Sequence, residues 1–407
     1  MAEVEGRSSR AINRRRLLGG GVAALGVAGV GAVSGYGMVD NPTDTTISGG
    51  DTVPWNGLHQ AGVDTVPPQS HSAFVGLNLQ DSVRRDQVIG ILKVWTEDIG
   101  RLTVGVPALA DTEPELALRP ARLTITVGLG PGAFDAIDLP DRRPSWLAPL
   151  PAFGIDRLET GFTGGDLLLQ VCSDDPVTVA HAVRVLTKNV RSLVTVAWTQ
   201  RGFRRSRGTE ESGTTMRNLM GQVDGTVNPS AGTTDFDTLV WDDGSEQPWM
   251  QHGTSMVLRR IRIEMDTWDE LDRSGRELSV GRKLDTGAPL TGKSEFDVAD
   301  FEATDRFGIP VIPPSSHIAR ARHTHDGERI FRRAYNYDDP PVPGSLSNSG
   351  LLFASYQRDV IGQFLPIQQR LAEFDALNEW TTPIGSAVFA ILPGVADGKY
   401  LGQSLFG

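Results

Sequence analysis

The regular alternation of strand-length apolar runs with helical periodicity is the feature that most constrains the fold of this chain. Four strand-length runs lie at 71–79, 123–129, 166–172 and 193–199. After the first and the third run, apolar residues recur at three- and four-residue steps over 88–102 and 176–191, which is the spacing of an amphipathic helix. The predicted order of elements is therefore β-α-β-β-α-β, and this order is typical of a ferredoxin-like sandwich.

A similar order recurs after about residue 215, which predicts a second sandwich. Strands are predicted near 254–264, 329–337, 350–357 and 385–392, and helices at 266–280 and 359–376. The predicted fold class is α+β, with two tandem ferredoxin-like domains whose antiparallel sheets carry packed helices. We place the N-terminal domain at 58–214 and the C-terminal domain at 215–407. Fold alone implies no chemistry.

Length, charge and cysteine content narrow the function classes. The 407 residues are enough for two domains and a core that could bury a cofactor. The net charge of −11 argues against a nucleic-acid partner. The one cysteine, Cys172, lies in an apolar run and reads as a buried strand residue, and a single cysteine excludes intrachain disulfides and cysteine-ligated iron–sulfur clusters.

The N-terminus carries a candidate export signal. Asn13-Arg14-Arg15-Arg16-Leu17-Leu18 matches the twin-arginine pattern, and the glycine-rich apolar stretch that follows is too short and too weakly apolar for a membrane span. We expect residues 1–36 to be a signal peptide handled by the twin-arginine translocase, and 37–57 to be a linker. This places the folded protein in the periplasm, at the cell envelope or outside the cell. The alternative is a disordered basic tail.

Several segments of the C-terminal half could carry chemistry, although each has a plain structural alternative. The glycine-rich run 221–226 contains an Asp-Gly pair at Asp224, which is foremost a turn signal. His317 follows two prolines and could be a ligand or a structural imidazole. Arg332 and Arg333 lie in a strand-like run, so alternation directs only one of them toward a shared site. His323 and His325 could suit a metal, but a hydrated loop is the better interpretation.

Together these segments resemble the dye-decolourising (DyP-type) haem peroxidase family over most of the chain, in its exported twin-arginine bacterial branch. The matching segments are 59–62 (HQAG), 221–226 (GQVDGT), 332–337 (RRAYNY), 350–353 (GLLF), 375–380 (DALNEW) and 385–387 (GSA). The resemblance implies two ferredoxin-like domains and a haem b in the C-terminal half. It also implies reduction of hydrogen peroxide and oxidation of bulky aromatic or dye-like donors through a high-valent iron-oxo intermediate.

The resemblance implies a role for four residues in particular. His317 would hold the iron, and Asp375 would accept a hydrogen bond from its other ring nitrogen. Asp224 would move a proton between the peroxide oxygens, and Arg332 would stabilise the developing negative charge. The choice of Arg332 over Arg333 follows the family pattern, in which the first arginine of the pair is catalytic.

Further residues would line the haem. Gly225, Thr226 and Val227 would lie along its edge, and Phe353 or its neighbour Leu352 would form an apolar wall. The segment 318–320 departs from the family pattern, which has an arginine two residues after the histidine. Propionate pairing is therefore open between Arg320 and Arg322, of which we choose Arg322. Electron transfer through Tyr335, Tyr337, Tyr356 and Trp380, or their packing in the core, remains open as well.

Two other functions fit the same sequence. The first is an exported protein that handles haem or iron, as a deferrochelatase does, for which Asp224 would matter little. The second is a binding module without catalysis. The sequence allows a homo-oligomer and does not name the natural reductant.

Overall fold

The computed structural model describes residues 48–341 and 343–407. The predicted signal peptide and residues 37–47 of the predicted linker lie outside these ranges. Within them, no helix combines the length and the apolar content that a membrane crossing requires. Residues at the start of the described part contact the main body, because the amides of Ala121 and Arg122 donate to the carbonyls of Gly49 and Asp51.

The N-terminal half forms the predicted β-α-β-β-α-β sandwich. Its elements are β1 (His71–Leu79), α1 (Arg85–Leu102), β2 (Thr124–Leu129), α2 (Pro131–Ala136), β3 (Leu167–Ser173), α3 (Pro176–Val190) and β4 (Val194–Phe203). The strands pair in the order β2-β3-β1-β4, all antiparallel. Helix α3 begins where the sequence indicates, because the Asp175 carboxylate accepts from two first-turn amides and Pro176 occupies the first helical position.

The C-terminal half repeats this arrangement with longer insertions. Its elements are α4 (Thr234–Val240), β5 (Thr254–Ile263), α5 (Met265–Trp268), α6 (Arg273–Val280), α7 (His317–Ala321), β6 (Phe331–Arg332), β7 (Tyr335–Asp338), β8 (Ser349–Gln357), α8 (Leu365–Phe374), β9 (Thr381–Ile391) and α9 (Gln403–Phe406). The strands β7-β8-β5-β9 form a second antiparallel sheet, and the two-residue β6 also pairs with β8. The predicted α+β fold with two ferredoxin-like sheets is confirmed.

Three elements of this half were predicted as continuous, and this was wrong because the structure interrupts each of them. The helix predicted at 266–280 is split, because the Asp272 carboxylate caps Gly275 and starts α6 afresh. The strand predicted at 329–337 is divided into β6 and β7 by Arg333 and Ala334. Arg204 Nε donates a hydrogen bond to the Ala334 carbonyl at 2.7 Å. The helix predicted at 359–376 opens with a π-helical turn over Val360–Phe364 and ends at Phe374.

The two sheets join into one closed barrel. Strand β2 pairs with β9, and β4 pairs with β7 through Phe203 and Asn336, so that the pairing of β5 with β8 closes the ring. The interior of the barrel is filled by large side chains of both halves, among them Phe74, Trp198, Tyr335, Tyr356 and Phe389. Helices α1 and α3 cover the outside of the N-terminal sheet and bury a second apolar core.

Gln60, from the HQAG segment, joins the two halves. Its side-chain amide donates to the carbonyls of Val127 and Leu392, both at 2.8 Å, and its carbonyl accepts from the Val127 amide at 2.9 Å. The side chain is 3 % exposed. A buried amide with three such bonds satisfies the backbone of β2 and of the segment just after β9 where the two sheets meet.

Cys172 lies inside the barrel, as its apolar surroundings in the sequence predicted. The thiol is fully buried, and the Tyr335 hydroxyl donates to Sγ over 3.5 Å. Burial raises the pKa of this thiol, which disfavours the reactive thiolate. The interpretation of Cys172 as a structural residue is confirmed.

Candidate active site

The candidate site lies on the outer face of the C-terminal sheet. Residues paired across antiparallel strands point to the same side, so Arg332 of β6 shares a face with its partner Ser355 in β8. Phe353, two residues along β8, points to that face as well and packs against the outer core. Leu352 points the other way and is part of the barrel interior. Of these two candidates for the apolar wall, Phe353 therefore faces the side that carries Arg332.

Arg332 forms an ion pair with Asp224. Arg332 Nη1 lies 3.0 Å from Asp224 Oδ1, and the two side chains are 21 % and 16 % exposed. The Asp224 amide donates to the Met216 carbonyl at 2.8 Å, so the carboxylate projects from an anchored segment. Gly225 follows with φ +132°, which L side chains rarely adopt, so this turn requires glycine.

Arg333 contacts a different part of the protein. Its side chain is 1 % exposed, and its two terminal nitrogens donate to the Thr65 carbonyl at 2.7 Å and to the Gln69 side-chain oxygen. Both acceptors belong to the N-terminal half. The adjacent arginines thus diverge, one toward Asp224 on the outer face and one into the barrel.

His317 and Asp375 form the second pair of the site. His317 is the first residue of α7, directly after the proline-containing segment, and its Nδ1 lies 2.6 Å from Asp375 Oδ2. The other carboxylate oxygen accepts from the Leu377 amide at 2.9 Å, which fixes the orientation of Asp375. The Ala376 amide donates to the Ser315 carbonyl at 2.8 Å and holds the two segments together.

The charges of both pairs act on the pKa of His317. Burial acts to lower the pKa of His317, but the charge of Asp375 and its hydrogen bond outweigh burial, so the pKa is raised. Arg332 lowers and Asp224 raises the same pKa to a smaller extent. Because Nδ1 faces a carboxylate, Nδ1 carries the proton and Nε2 is the nitrogen that could bind a metal.

The other predicted binding residues are placed around these pairs. The Thr226 hydroxyl donates to Glu295 Oε1 at 2.9 Å, and Val227 is 71 % exposed. Arg320 donates to the Arg370 carbonyl and to Glu373. Arg322 is exposed and lies over the ring of Phe301, with 4.9 Å between the guanidinium carbon and the ring centroid. Arg320 is thus held by α8, whereas Arg322 extends from the surface.

The two histidines of the metal alternative are exposed, whereas the four candidate aromatic residues pack against other side chains. His323 and His325 are exposed, and in the described ranges no group of three His, Cys, Asp or Glu side chains could hold a metal ion. Tyr335, Tyr337 and Tyr356 are fully buried in the barrel interior. Burial raises the pKa of Tyr337 to about 12. Trp380 packs edge-on against Trp268 at 5.3 Å between ring centroids.

Two residues at the site were missed in the sequence. Asn228 donates to the Arg332 carbonyl at 2.7 Å and accepts from the Arg332 amide at 3.0 Å. Arg370 donates to the Arg320 and Arg322 carbonyls and pairs with Glu328, so it ties α7 to α8. The proximity of Asn228 to Asp224 in the sequence was the only signal for the former. No local signal pointed to Arg370, because its partners are set by the packing of the two helices.

Two sequence profiles of known proteins match this chain. Residues 60–204 match the sequence profile of "Dyp-type peroxidase, N-terminal", and 215–396 match that of "Dyp-type peroxidase, C-terminal". A dye-decolorizing peroxidase of Thermobifida fusca is 39 % identical over 352 residues, covering 83 % of this chain and 82 % of the relative. A deferrochelatase of Shigella sonnei is 33 % identical over 419 residues, covering 97 % and 96 %.

Solved structures show the same relationship. The crystal structure of a DyP-type peroxidase from Cellulomonas bogoriensis superimposes with a TM-score of 0.86 at 55 % identity, covering 88 % of this chain and 99 % of that one. A DyP-type peroxidase from Streptomyces coelicolor superimposes with a TM-score of 0.85 at 35 % identity. The two profile matches together span most of the chain, and one lies within each of the two predicted domains. The chain therefore belongs to the DyP-type peroxidase family.

Proposed function

We propose that this protein is a haem b peroxidase that reduces hydrogen peroxide and oxidises bulky aromatic or dye-like donors. The observation that carries the proposal is the presence, in the C-terminal half, of a hydrogen-bonded pair, His317 with Asp375, and an ion pair, Asp224 with Arg332, whose charges act on His317. The first pair suits an iron ligand, and the second suits cleavage of a peroxide bond. The family membership supports the same reaction class.

The residues present fit haem. A porphyrin supplies four ligands to its iron, so a single imidazole such as His317, with Nδ1 bound to Asp375 at 2.6 Å, completes the protein's share. Val227 and Phe353 offer apolar surface, and Gly225 has no side chain to obstruct a flat ligand. Arg322 is the cation that we assign to a propionate. When bound, the haem would supply the iron that accepts electrons from the donor and passes them to peroxide.

Asp224 and Arg332 would have separate roles in the cleavage of peroxide. Asp224 engages Arg332 through Oδ1, so we assign Oδ2 to take the proton from the inner peroxide oxygen and return it to the outer one. Arg332 would stabilise the negative charge that develops on the departing oxygen. The 3.0 Å pair holds both groups in one place before peroxide arrives, which lowers the cost of reorganisation.

One preparation tests the proposal. The purified protein should show the Soret band of a histidine-ligated haem, and it should oxidise an anthraquinone dye only when hydrogen peroxide is added. Asp224→Asn should keep haem and slow the reaction with peroxide by ~100-fold or more if the carboxylate carries the proton. A protein that purifies with full haem and consumes no peroxide would contradict a peroxidase.

A second candidate function has support in the comparisons. Relatives named deferrochelatase are 33 to 34 % identical to this chain, and the matched region covers 84 to 96 % of their length. Their similarity favours a role in handling haem or iron on the same fold. In that role the Asp224 carboxylate would matter little. Unchanged haem processing in Asp224→Asn, together with absent peroxide turnover in the parent protein, would favour this second function.

The N-terminal segment supports a proposal on location. Arg14 and Arg15 occupy the paired positions of the twin-arginine pattern, and a weakly apolar stretch follows them. We infer that the translocase of this pathway exports the folded protein with its cofactor already bound. Export of a folded chain suits a protein whose cofactor must be captured before it leaves the cytoplasm.

A further inference from the structure

We propose that Asn228 is a positioning residue that holds Arg332 in the orientation its proposed role requires. The proposal rests on the proposed function of Arg332 and extends it to a residue that does not itself touch peroxide or haem. Its side chain forms two hydrogen bonds with the backbone of Arg332, a donor to the carbonyl at 2.7 Å and an acceptor from the amide at 3.0 Å.

The pairing of β6 explains why these two bonds exist. Phe331 and Arg332 pair with Tyr356 and Ser355 of β8, and the next amide, that of Arg333, donates to the Ala354 carbonyl at 2.8 Å. In an antiparallel ladder, the backbone groups of alternate residues point to opposite sides. The amide and carbonyl of Arg332 therefore point away from β8. On that side the Asn228 side chain accepts from the amide and donates to the carbonyl, as a neighbouring strand would.

The same turn also supplies the partner of the guanidinium. The backbone amide of Asn228 donates to the Gly225 carbonyl at 3.0 Å, and this turn brings the side chains of Asp224 and Asn228 to Arg332. Asp224 binds the Arg332 side chain, and Asn228 binds its backbone. Arg332 is thus fixed at both ends by side chains that are four positions apart in the sequence.

This arrangement makes the orientation of Arg332 depend on Asn228. Strand β6 has only two residues, and the amide and carbonyl of Arg332 take no part in its ladder with β8, so the Asn228 side chain is what restrains these two groups. Without the side-chain amide of Asn228, the backbone of Arg332 would have to form hydrogen bonds with water. The position of its Cα, and with it that of the guanidinium, would then be less well fixed. A misplacement of about 1 Å at a reacting centre can slow a reaction by ~100-fold.

The experiment is a double-mutant cycle on the haem-loaded protein with Asn228→Ala and Arg332→Leu. Asn228→Ala should keep haem, slow the stopped-flow reaction with peroxide by ~10 to 100-fold and weaken cyanide binding in an equilibrium titration. In the Arg332→Leu background, Asn228→Ala should change neither quantity further. The control is Asn348→Ala, which removes one surface amide bond to the Pro340 carbonyl and should react as the parent does.

Two results would overturn the proposal. The first is an effect of Asn228→Ala that is equally large with and without Arg332, because it would then act through general destabilisation. The second is unchanged protection of the Arg332 backbone amide against hydrogen exchange in Asn228→Ala, which would show that the Asn228 side chain does not hold this amide. This measurement does not require bound haem. A parent protein without haem would instead contradict the proposed function, and the exchange measurement would still decide whether the Asn228 side chain holds this amide.

Discussion

The adjacent arginines give the most informative prediction, because the structure assigns them different environments. Arg332 is 21 % exposed and forms one ion pair with the 16 % exposed Asp224, so Arg332→Leu should cost ~1 to 2 kcal/mol, between the values for a surface pair and a fully buried pair. If this guanidinium stabilises the departing oxygen of peroxide, its loss should slow the reaction by ~100 to 1,000-fold, the effect of deleting one transition-state donor.

Arg333→Leu should show the opposite pattern. The substitution leaves two buried acceptors, the Thr65 carbonyl and the Gln69 side-chain oxygen, without their donor. An unsatisfied buried group costs ~1 to 3 kcal/mol, and removal of the buried charge relieves part of this, so we expect a loss of ~2 to 4 kcal/mol in the free energy of unfolding. The reaction with peroxide should stay within a few-fold of the parent rate.

Two assays on the same three proteins separate these effects. Stopped-flow absorbance of the haem after mixing with peroxide gives the reaction rate, and urea unfolding followed by fluorescence gives the stability. If Arg333→Leu reacted slowly with parental stability while Arg332→Leu reacted at the parental rate, the assignment would be off by one residue. Parental rates in both variants would remove Arg332 from the proposed mechanism.

Four further outcomes follow from the same geometry. His317→Ala should lose most of its haem, measured as the ratio of Soret to protein absorbance, and normal haem content would require another ligand. Asp375→Asn should keep haem but shift the iron–histidine stretching frequency in the Raman spectrum, because the Nδ1 proton then faces a weaker acceptor; an unchanged frequency would argue against the pair. Gln60→Leu should lower the free energy of unfolding by ~2 to 5 kcal/mol in a urea titration, since it removes three buried hydrogen bonds, one of which links the two halves; a change below ~1 kcal/mol would mean that the backbone finds other partners. Replacing Arg14 and Arg15 together by lysine should leave the folded, haem-loaded protein in the cytoplasmic fraction, and undiminished export would refute the proposed route.

The elements of the N-terminal half could be predicted from the sequence because they are set by local patterns. The helices over 88–102 and 176–191 differ from α1 and α3 by only a few residues at their ends. Apolar spacing determines which face of a segment can be buried, and a proline or a capping carboxylate determines where the segment begins. The burial of Cys172 followed from the same local information.

The tertiary structure decided what depends on residues far apart in the chain. Asp224 and Arg332 are 108 positions apart, and His317 and Asp375 are 58 apart, so the family resemblance, not spacing, had indicated these pairs. The direction of Arg333 is determined by acceptors more than 260 positions away in the N-terminal half. Sequence periodicity could state that neighbouring strand residues face opposite sides, but not which side carries the site.

The breaks in the C-terminal elements have the same origin. A strand pattern continues through 329–337, yet the strand is interrupted at Arg333 and Ala334, where Arg204 from the other half donates to the Ala334 carbonyl. Asn228 was invisible for a related reason, since an asparagine next to a proline predicts a turn and only the open edge of β6 gives its amide a partner. Local patterns thus determined where strands and helices form. Contacts between distant segments determined which polar groups face one another, and these contacts include both pairs of the candidate site.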